Sequence, residues 1–181
     1  MDYPNELQLA DRYFDLRIPQ HNVDLRIRTM IDEINSSMSG QTTDLLIILD
    51  GAFWFYNRLY PGFNFSNQSH FIRVKTYEGQ VSNNVFNCDT SVLNALGKRV
   101  IIIEDIIDSG FTIHQLKSRI LEKGIEELYI ASLIYKPECD RYCTNPDFTG
   151  FSCDPEFLVG CGMDYQGMGR DLPQIYTCRK V

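Results

Sequence analysis

Residues 99–112 read RVIIIEDIIDSGFT. An apolar run opens the stretch, carboxylates follow at Glu104, Asp105 and Asp108, and a Ser109-Gly110 turn leads to Phe111 and Thr112. An apolar run bounded by turn residues fits a strand buried on both faces, and residues 99–104 are read that way. Residues 112–123 then place Ile113, Leu116, Ile120 and Leu121 at helical spacing, with Gly124 as the stop. A strand, a glycine turn and a helix in succession are the repeating unit of an α/β sheet.

The same alternation extends to both sides. Residues 22–39 form an amphipathic helix in this reading, with Ile27, Met30, Ile31, Ile34 and Met38 on one face, Asn22 as N-cap and Gly40 as terminator. TDLLIILDG (43–51) is a buried strand running into a turn, and 52–60 is the helix after it, closed by Pro61-Gly62. HFIRVKTY (70–77) alternates as a strand, and the polar stretch 78–89 reads as a mobile loop. A further β-rich run covers 128–136, with short strands at 157–160 and 174–178. Residues 137–156 hold three prolines and little periodicity, which reads as a loop or hood. The expectation is one α/β domain over 1–181: a central, mainly parallel twisted sheet flanked by helices, with a small hood from parts of the N-terminal segment and about 137–181.

Composition narrows the function classes. The chain has 181 residues, 44% hydrophobic and 12% aromatic, in the range of a globular domain. Its apolar runs are too short to span a bilayer, and the acidic start MDYPNELQLADRYF does not resemble a secretory signal. A cytoplasmic protein is expected, with the six cysteines as free thiols, since no CxxC pair marks a zinc site. A net charge of −7 disfavours a nucleic-acid binder but leaves room for a local phosphate site.

Ligands of open α/β sheets bind beyond the carboxyl ends of the strands. Asp50-Gly51, Thr76-Tyr77, residues 104–112 and Lys136 all fall at such ends. Free N–H groups at the turn of Ser109, Gly110 and Thr112 make an anion site suited to phosphate. The carboxylates upstream repel phosphate and suit sugar hydroxyls or hydrated Mg2+. Phosphate beside hydroxyls describes a ribose 5-phosphate. Taken alone, the same residues also describe a capped helix with solvated acids, Lys136 a solvated lysine, Phe157 a core residue and Asp164 a turn residue. Neither GxGxxG nor GxxxxGK[ST] is present.

VIIIEDIIDSGFT resembles the signature of the type I phosphoribosyltransferases. LLIILDGAFWF, FIRVKTY, IASLIYKP and PDFTGF…FLVGCGMDYQGMGRDLP resemble, in order, segments of the hypoxanthine-guanine phosphoribosyltransferases. That resemblance implies Mg2+-dependent transfer of ribose 5-phosphate from phosphoribosyl pyrophosphate to a 6-oxopurine, as a homodimer or homotetramer. It implies that Glu104 and Asp105 hold the ribose hydroxyls, directly or through Mg2+. Asp108 is then the acid/base near purine N7, and Ser109, Gly110, Phe111 and Thr112 cradle the 5′-phosphate. Lys136 donates to purine O6, Phe157 stacks on the base and Leu158 offers its backbone to the ring edge. Asp50, Gly51 and Arg170 belong to the pyrophosphate site, Asp164 to a second Mg2+, and Thr76 and Tyr77 to a mobile loop that closes over the site. Arg73 and Lys75 add positive charge near the phosphates. A xanthine-preferring enzyme, or a non-catalytic nucleotide- and RNA-binding regulator on the same fold, are the competing implications.

Two positions depart from the family pattern. Asp50 stands where lysine is common, which points to a contact with Mg2+ or with a basic residue across a subunit interface. Phe111 stands where a basic residue is common, which leaves phosphate binding to amides and hydroxyls.

Overall fold

The computed structural model describes residues 3–77 and 85–179. Its first elements are β1 (Glu6–Leu9), β2 (Arg12–Ile18), α1 (Gln20–Met38), β3 (Thr43–Leu49), α2 (Ala52–Leu59), β4 (Asn67–Tyr77) and β5 (Val85–Cys88). These are followed by β6 (Arg99–Ile107), α3 (Phe111–Leu121), β7 (Glu127–Tyr135), β8 (Phe148–Ser152), β9 (Leu158–Val159) and β10 (Ile175–Cys178). A 6-stranded sheet runs in the order β5-β4-β3-β6-β7-β8, parallel throughout except for β5.

The central strands are apolar along their length because helices cover both faces. In β3, Leu45 and Ile47 pack with Ile101, Ile103 and Leu133 against α1 and α2. Leu46 and Ile48 point the other way and pack with Ile102, Ile130 and the Ile113, Leu116 and Ile120 face of α3. Val23, Ile27, Met30, Ile34 and Met38 form the buried stripe of α1. Each fully buried Ile or Leu contributes roughly 1.5–3 kcal/mol over its exposed state, so this three-layer core dominates the fold's stability.

Several elements differ from the sequence expectation. Helix α1 begins at Gln20 behind Pro19, so Asn22 lies inside its first turn rather than capping it. Strand β6 continues past Glu104 to Ile107, so Asp105 belongs to the strand as well. Helix α3 spans Phe111–Leu121, one residue earlier at its start than read. Val85–Cys88, inside the stretch read as a loop, forms an antiparallel edge strand against β4. Residues 78–84, also assigned to that loop, lie outside the described residues.

The stretch 137–156 is not all loop or hood. Phe148–Ser152 extends the main sheet as a parallel edge strand beside β7. Arg26 of α1 holds it, donating from Nε to Gly150 O at 3.0 Å and from Nη2 to Thr149 O at 2.6 Å. The guanidinium thereby ties this edge strand to α1 through charge-assisted hydrogen bonds.

A second, 4-stranded antiparallel sheet has the order β1-β2-β10-β9. The N-terminal hairpin thus pairs with the C-terminal strand, around buried Phe14, Val159 and Tyr176. This small sheet carries the segment 157–172 across the carboxyl ends of β3, β6 and β7. Among the described residues, no helix is long and apolar enough to cross a membrane.

Candidate active site

Sheet register brings the central pair together. Ile107 of β6 is the partner of Tyr135 of β7, and Lys136 N donates to Ile107 O at 2.9 Å. Asp108 and Lys136 are therefore the next residues on two adjacent parallel strands. Lys136 Nζ lies 2.6 Å from Asp108 Oδ2. The lysine is only 5% exposed, whereas the Asp108 side chain is 54% exposed. A buried ammonium needs a charged partner, and Asp108 supplies it while keeping an open face toward solvent.

Asp105, Ile106, Asp108, Lys136, Phe157, Leu158, Met163 and Asp164 line one cavity of about 200 Å³. Phe157 is 47% exposed, which leaves an aromatic face free, and its other contacts are with Phe14 and Tyr165. An aromatic face next to a cation and a carboxylate suits a flat heterocycle that shows an acceptor beside a donor.

A second cavity of about 190 Å³ is lined by Glu104 and residues 106–113, which include Ser109, Gly110, Phe111 and Thr112. Gly110 adopts φ +77° as the N-cap of α3, which has no side-chain cap of its own, and Phe111 N reaches Ser109 Oγ at a long 3.5 Å. A residue with a Cβ is strained at that φ, and free N–H groups at the start of an 11-residue helix attract an anion.

Glu104 and Asp105 are 7% and 8% exposed, with Asp105 N donating to Glu104 Oε1 at 3.2 Å. Burial pushes the Glu104 carboxyl well above the usual carboxylate range, and the neighbouring Asp105 charge pushes it further. Burial raises Asp105 as well, against the opposing effects of its hydrogen bonds and of Arg170. Among the described residues, no group of three or more His, Cys, Asp or Glu side chains could hold a metal by itself. Two adjoining carboxylates with no cationic partner in contact among the described residues nevertheless fit a magnesium ion that takes its other ligands from substrate and water.

Gly51 seats the turn after β3 against this pair. A Cβ on Gly51 would collide with the Asp105 carboxylate, and one on Gly162 would collide with Gly51 O. The peptide between Leu49 and Asp50 is cis. Arg170 Nη1 donates to Gly162 O at 2.7 Å and its Nη2 lies 2.6 Å from Asp164 Oδ1. Gly51, Asp105, Asp164 and Arg170 are thus parts of one packed unit.

Asp50 pairs within its own chain. Arg73 Nη2 lies 2.6 Å from Asp50 Oδ1, as the Leu49–Arg73 register of β3 and β4 directs. No second subunit is needed to neutralise Asp50. Thr76 and Tyr77 end β4 with backbone pairing to Phe86 and Val85. Their side chains, and that of Lys75, lie outside the described residues.

Sequence reading missed Met163, and read the loop after β7 only as loop or hood. Met163 sits in GCGMDYQGMG, where Gly160, Gly162, Gly167 and Gly169 all have positive φ. That glycine density signalled a tightly folded segment in which an apolar side chain has few places to point. The loop after β7 carried no comparable signal.

A family model described as a phosphoribosyl transferase domain matches residues 18–166. The hypoxanthine phosphoribosyltransferase of Buchnera aphidicola subsp. Schizaphis graminum is 32% identical over 165 residues, 87% of this chain and 92% of that one. The hypoxanthine phosphoribosyltransferase of Escherichia coli K12 is 30% identical over 168 residues, 89% of this chain and 93% of that one. A solved hypoxanthine-guanine phosphoribosyltransferase from Bacillus anthracis superposes with a TM-score of 0.80 at 27% identity, covering 92% of this chain and 97% of that one. By sequence match and by fold, the chain belongs to the phosphoribosyl transferase family, on its hypoxanthine(-guanine) branch.

Proposed function

We propose that this chain is a purine-salvage enzyme that transfers ribose 5-phosphate from phosphoribosyl pyrophosphate to N9 of hypoxanthine or guanine, giving IMP or GMP and pyrophosphate. The observation that carries the base assignment is the Lys136–Asp108 pair, 2.6 Å apart at the end of two neighbouring strands. A 6-oxopurine shows the O6 acceptor beside N7–H, so Lys136 donates to O6 and Asp108 accepts from N7. Adenine shows a 6-amino donor in place of O6, so a donor would face the ammonium where an acceptor is needed.

The bond from ribose C1 to pyrophosphate breaks as the bond from C1 to N9 forms, and Asp108 takes the proton from N7. Glu104 and Asp105 lie along the ribose and stabilise the positive charge that develops at C1. Phe157 stacks on the base and Leu158 offers its backbone to the ring edge. The N–H groups of residues 110–112, with the Ser109 and Thr112 hydroxyls, hold the 5′-phosphate. Gly51 and Arg170 hold pyrophosphate, with Asp50 and Arg73 at its margin. Glu104, Asp105 and Asp164 would hold Mg2+, which when bound supplies charge neutralisation to the hydroxyl and pyrophosphate oxygens. Thr76 and Tyr77 close the site against water.

The chain acts as one phosphoribosyltransferase unit in the cytoplasm, as a homodimer or homotetramer. Exposed Tyr60 and Phe71, which both rest on Tyr56, support a second copy as the partner. Incubation with phosphoribosyl pyrophosphate, Mg2+ and hypoxanthine or guanine should yield IMP or GMP and pyrophosphate in equal amounts. Absence of nucleotide with both bases overturns the assignment.

A further inference from the structure

The loop after β7 has no part in the mechanism above, yet it is tied to the anion cradle at several points. Asp140 is its hub. Asp140 Oδ2 accepts from Thr144 N at 2.6 Å and from Tyr135 OH at 3.1 Å. Oδ1 accepts from Tyr142 N and from Thr144 Oγ1, both at 3.1 Å. All of these donors belong to the loop or to the strand it leaves, so the carboxylate is saturated by neighbours on its own side.

Gly110 rests directly on this knot. A Cβ there would collide with Asp140 Oδ1 and come to 2.5 Å from Thr144 Oγ1. Arg141 N donates to Ser109 O at 3.1 Å. The Tyr142 ring stacks on His114 at 4.6 Å and tilts against Phe111 at 5.9 Å. The loop therefore touches Ser109, Gly110, Phe111 and His114, which are the turn and the first turn of α3.

We propose that Asp140 is a positioning residue for the phosphate cradle: its carboxylate knots residues 139–144 into a rigid backing that fixes the N–H groups of residues 110–112. This rests on the assignment of the 5′-phosphate to those groups. Donors held in place before binding lose little freedom when the anion arrives. With the knot loosened, the glycine turn gains alternative conformations and the amides no longer converge. A carboxylate that merely supported the fold would, on removal, weaken every ligand alike. A positioning residue affects only ligands that carry the phosphate.

The test is calorimetric titration of the full chain with IMP and with inosine, which differ by the 5′-phosphate. Asp140→Asn and Thr144→Val should each weaken IMP about tenfold, and Asp140→Ala about thirtyfold, with inosine affinity unchanged. Thr144→Val loosens the same knot and decides the matter if the Asp140 variants do not fold. Thr112→Ala is the control on the cradle itself and must also weaken IMP selectively. If Thr112→Ala is selective while the folded Asp140 and Thr144 variants bind IMP normally, or lose IMP and inosine equally, the role of Asp140 is overturned. If Thr112→Ala is not selective, the phosphate lies elsewhere and the proposal falls with that assignment.

Discussion

Lys136 Nζ and Asp108 Oδ2 stand 2.6 Å apart, and the two residues are the first beyond the paired ends of β6 and β7. The geometry follows from strand register, so neither side chain depends on a flexible loop for its place. This gives Asp108 a role separable from binding. Asp108→Asn keeps the shape and a hydrogen-bonding group but cannot take up the N7 proton. Steady-state assays should show turnover lower by about 10²–10⁴-fold, while IMP still binds. Unchanged turnover would remove Asp108 from proton transfer.

Gly51 and Asp105 make a second rigid relationship. A side chain at Gly51 has no room unless the Asp105 carboxylate moves. Gly51→Ala should therefore displace a group beside the reacting ribose and lower kcat/KM by about 10²-fold, the usual cost of a displacement near 1 Å. A crystal structure of this variant with Asp105 in place and normal activity would contradict the packing argument.

Glu104 and Asp105 oppose the fold they sit in. Burial raises both carboxyls above their values in an unfolded chain, so each ionises at a cost in the folded state. The sign follows from linkage: the penalty is absent below the unfolded pKa and grows as pH rises above it toward the raised folded value. Glu104→Gln removes a buried charge next to Asp105 and should stabilise the free protein. A gain on the order of 1 kcal/mol corresponds to about 2–4 °C for a chain of this size. Thermal melts should show a larger gain at pH 8 than at pH 5, together with reduced activity. A lower melting temperature at both pH values would show that the Glu104 charge supports the fold.

The Asp50–Arg73 pair is more than half exposed on both sides, so its worth to stability is small. Asp50→Asn should change the unfolding free energy by less than about 1 kcal/mol. It also removes an anion from the edge of the pyrophosphate site and should lower KM for phosphoribosyl pyrophosphate. Denaturant titration with a loss above about 2 kcal/mol would make the pair structural instead.

What the sequence revealed, and what it hid, follows from range. Strands β3 and β6 were legible because continuous apolar runs admit few other readings. The far end of β6 was not, because Glu104 and Asp105 read as the polar boundary of a strand. They are buried inside it, at a cost consistent with a site that needs them. Phe148–Ser152 was read as part of a loop because the surrounding stretch holds three prolines and little periodicity, and its support comes from Arg26, more than a hundred residues away. The N-terminal hairpin was hidden similarly: Phe14 is buried only because β10, at the other end of the chain, lies beside β2. The separate parts of the site were legible as motifs. Their joining, Asp108 to Lys136 and Asp50 to Arg73, depends on sheet register, which a single sequence does not display.

The central claim is that Lys136 beside Asp108 selects a 6-oxopurine. The most direct measurement is the ratio of kcat/KM for hypoxanthine to that for adenine, with phosphoribosyl pyrophosphate and Mg2+ saturating. A buried donor that meets another donor on the wrong base discriminates strongly, so the ratio should be about 10⁴ or more. A ratio near one, or a preference for adenine, would contradict the account.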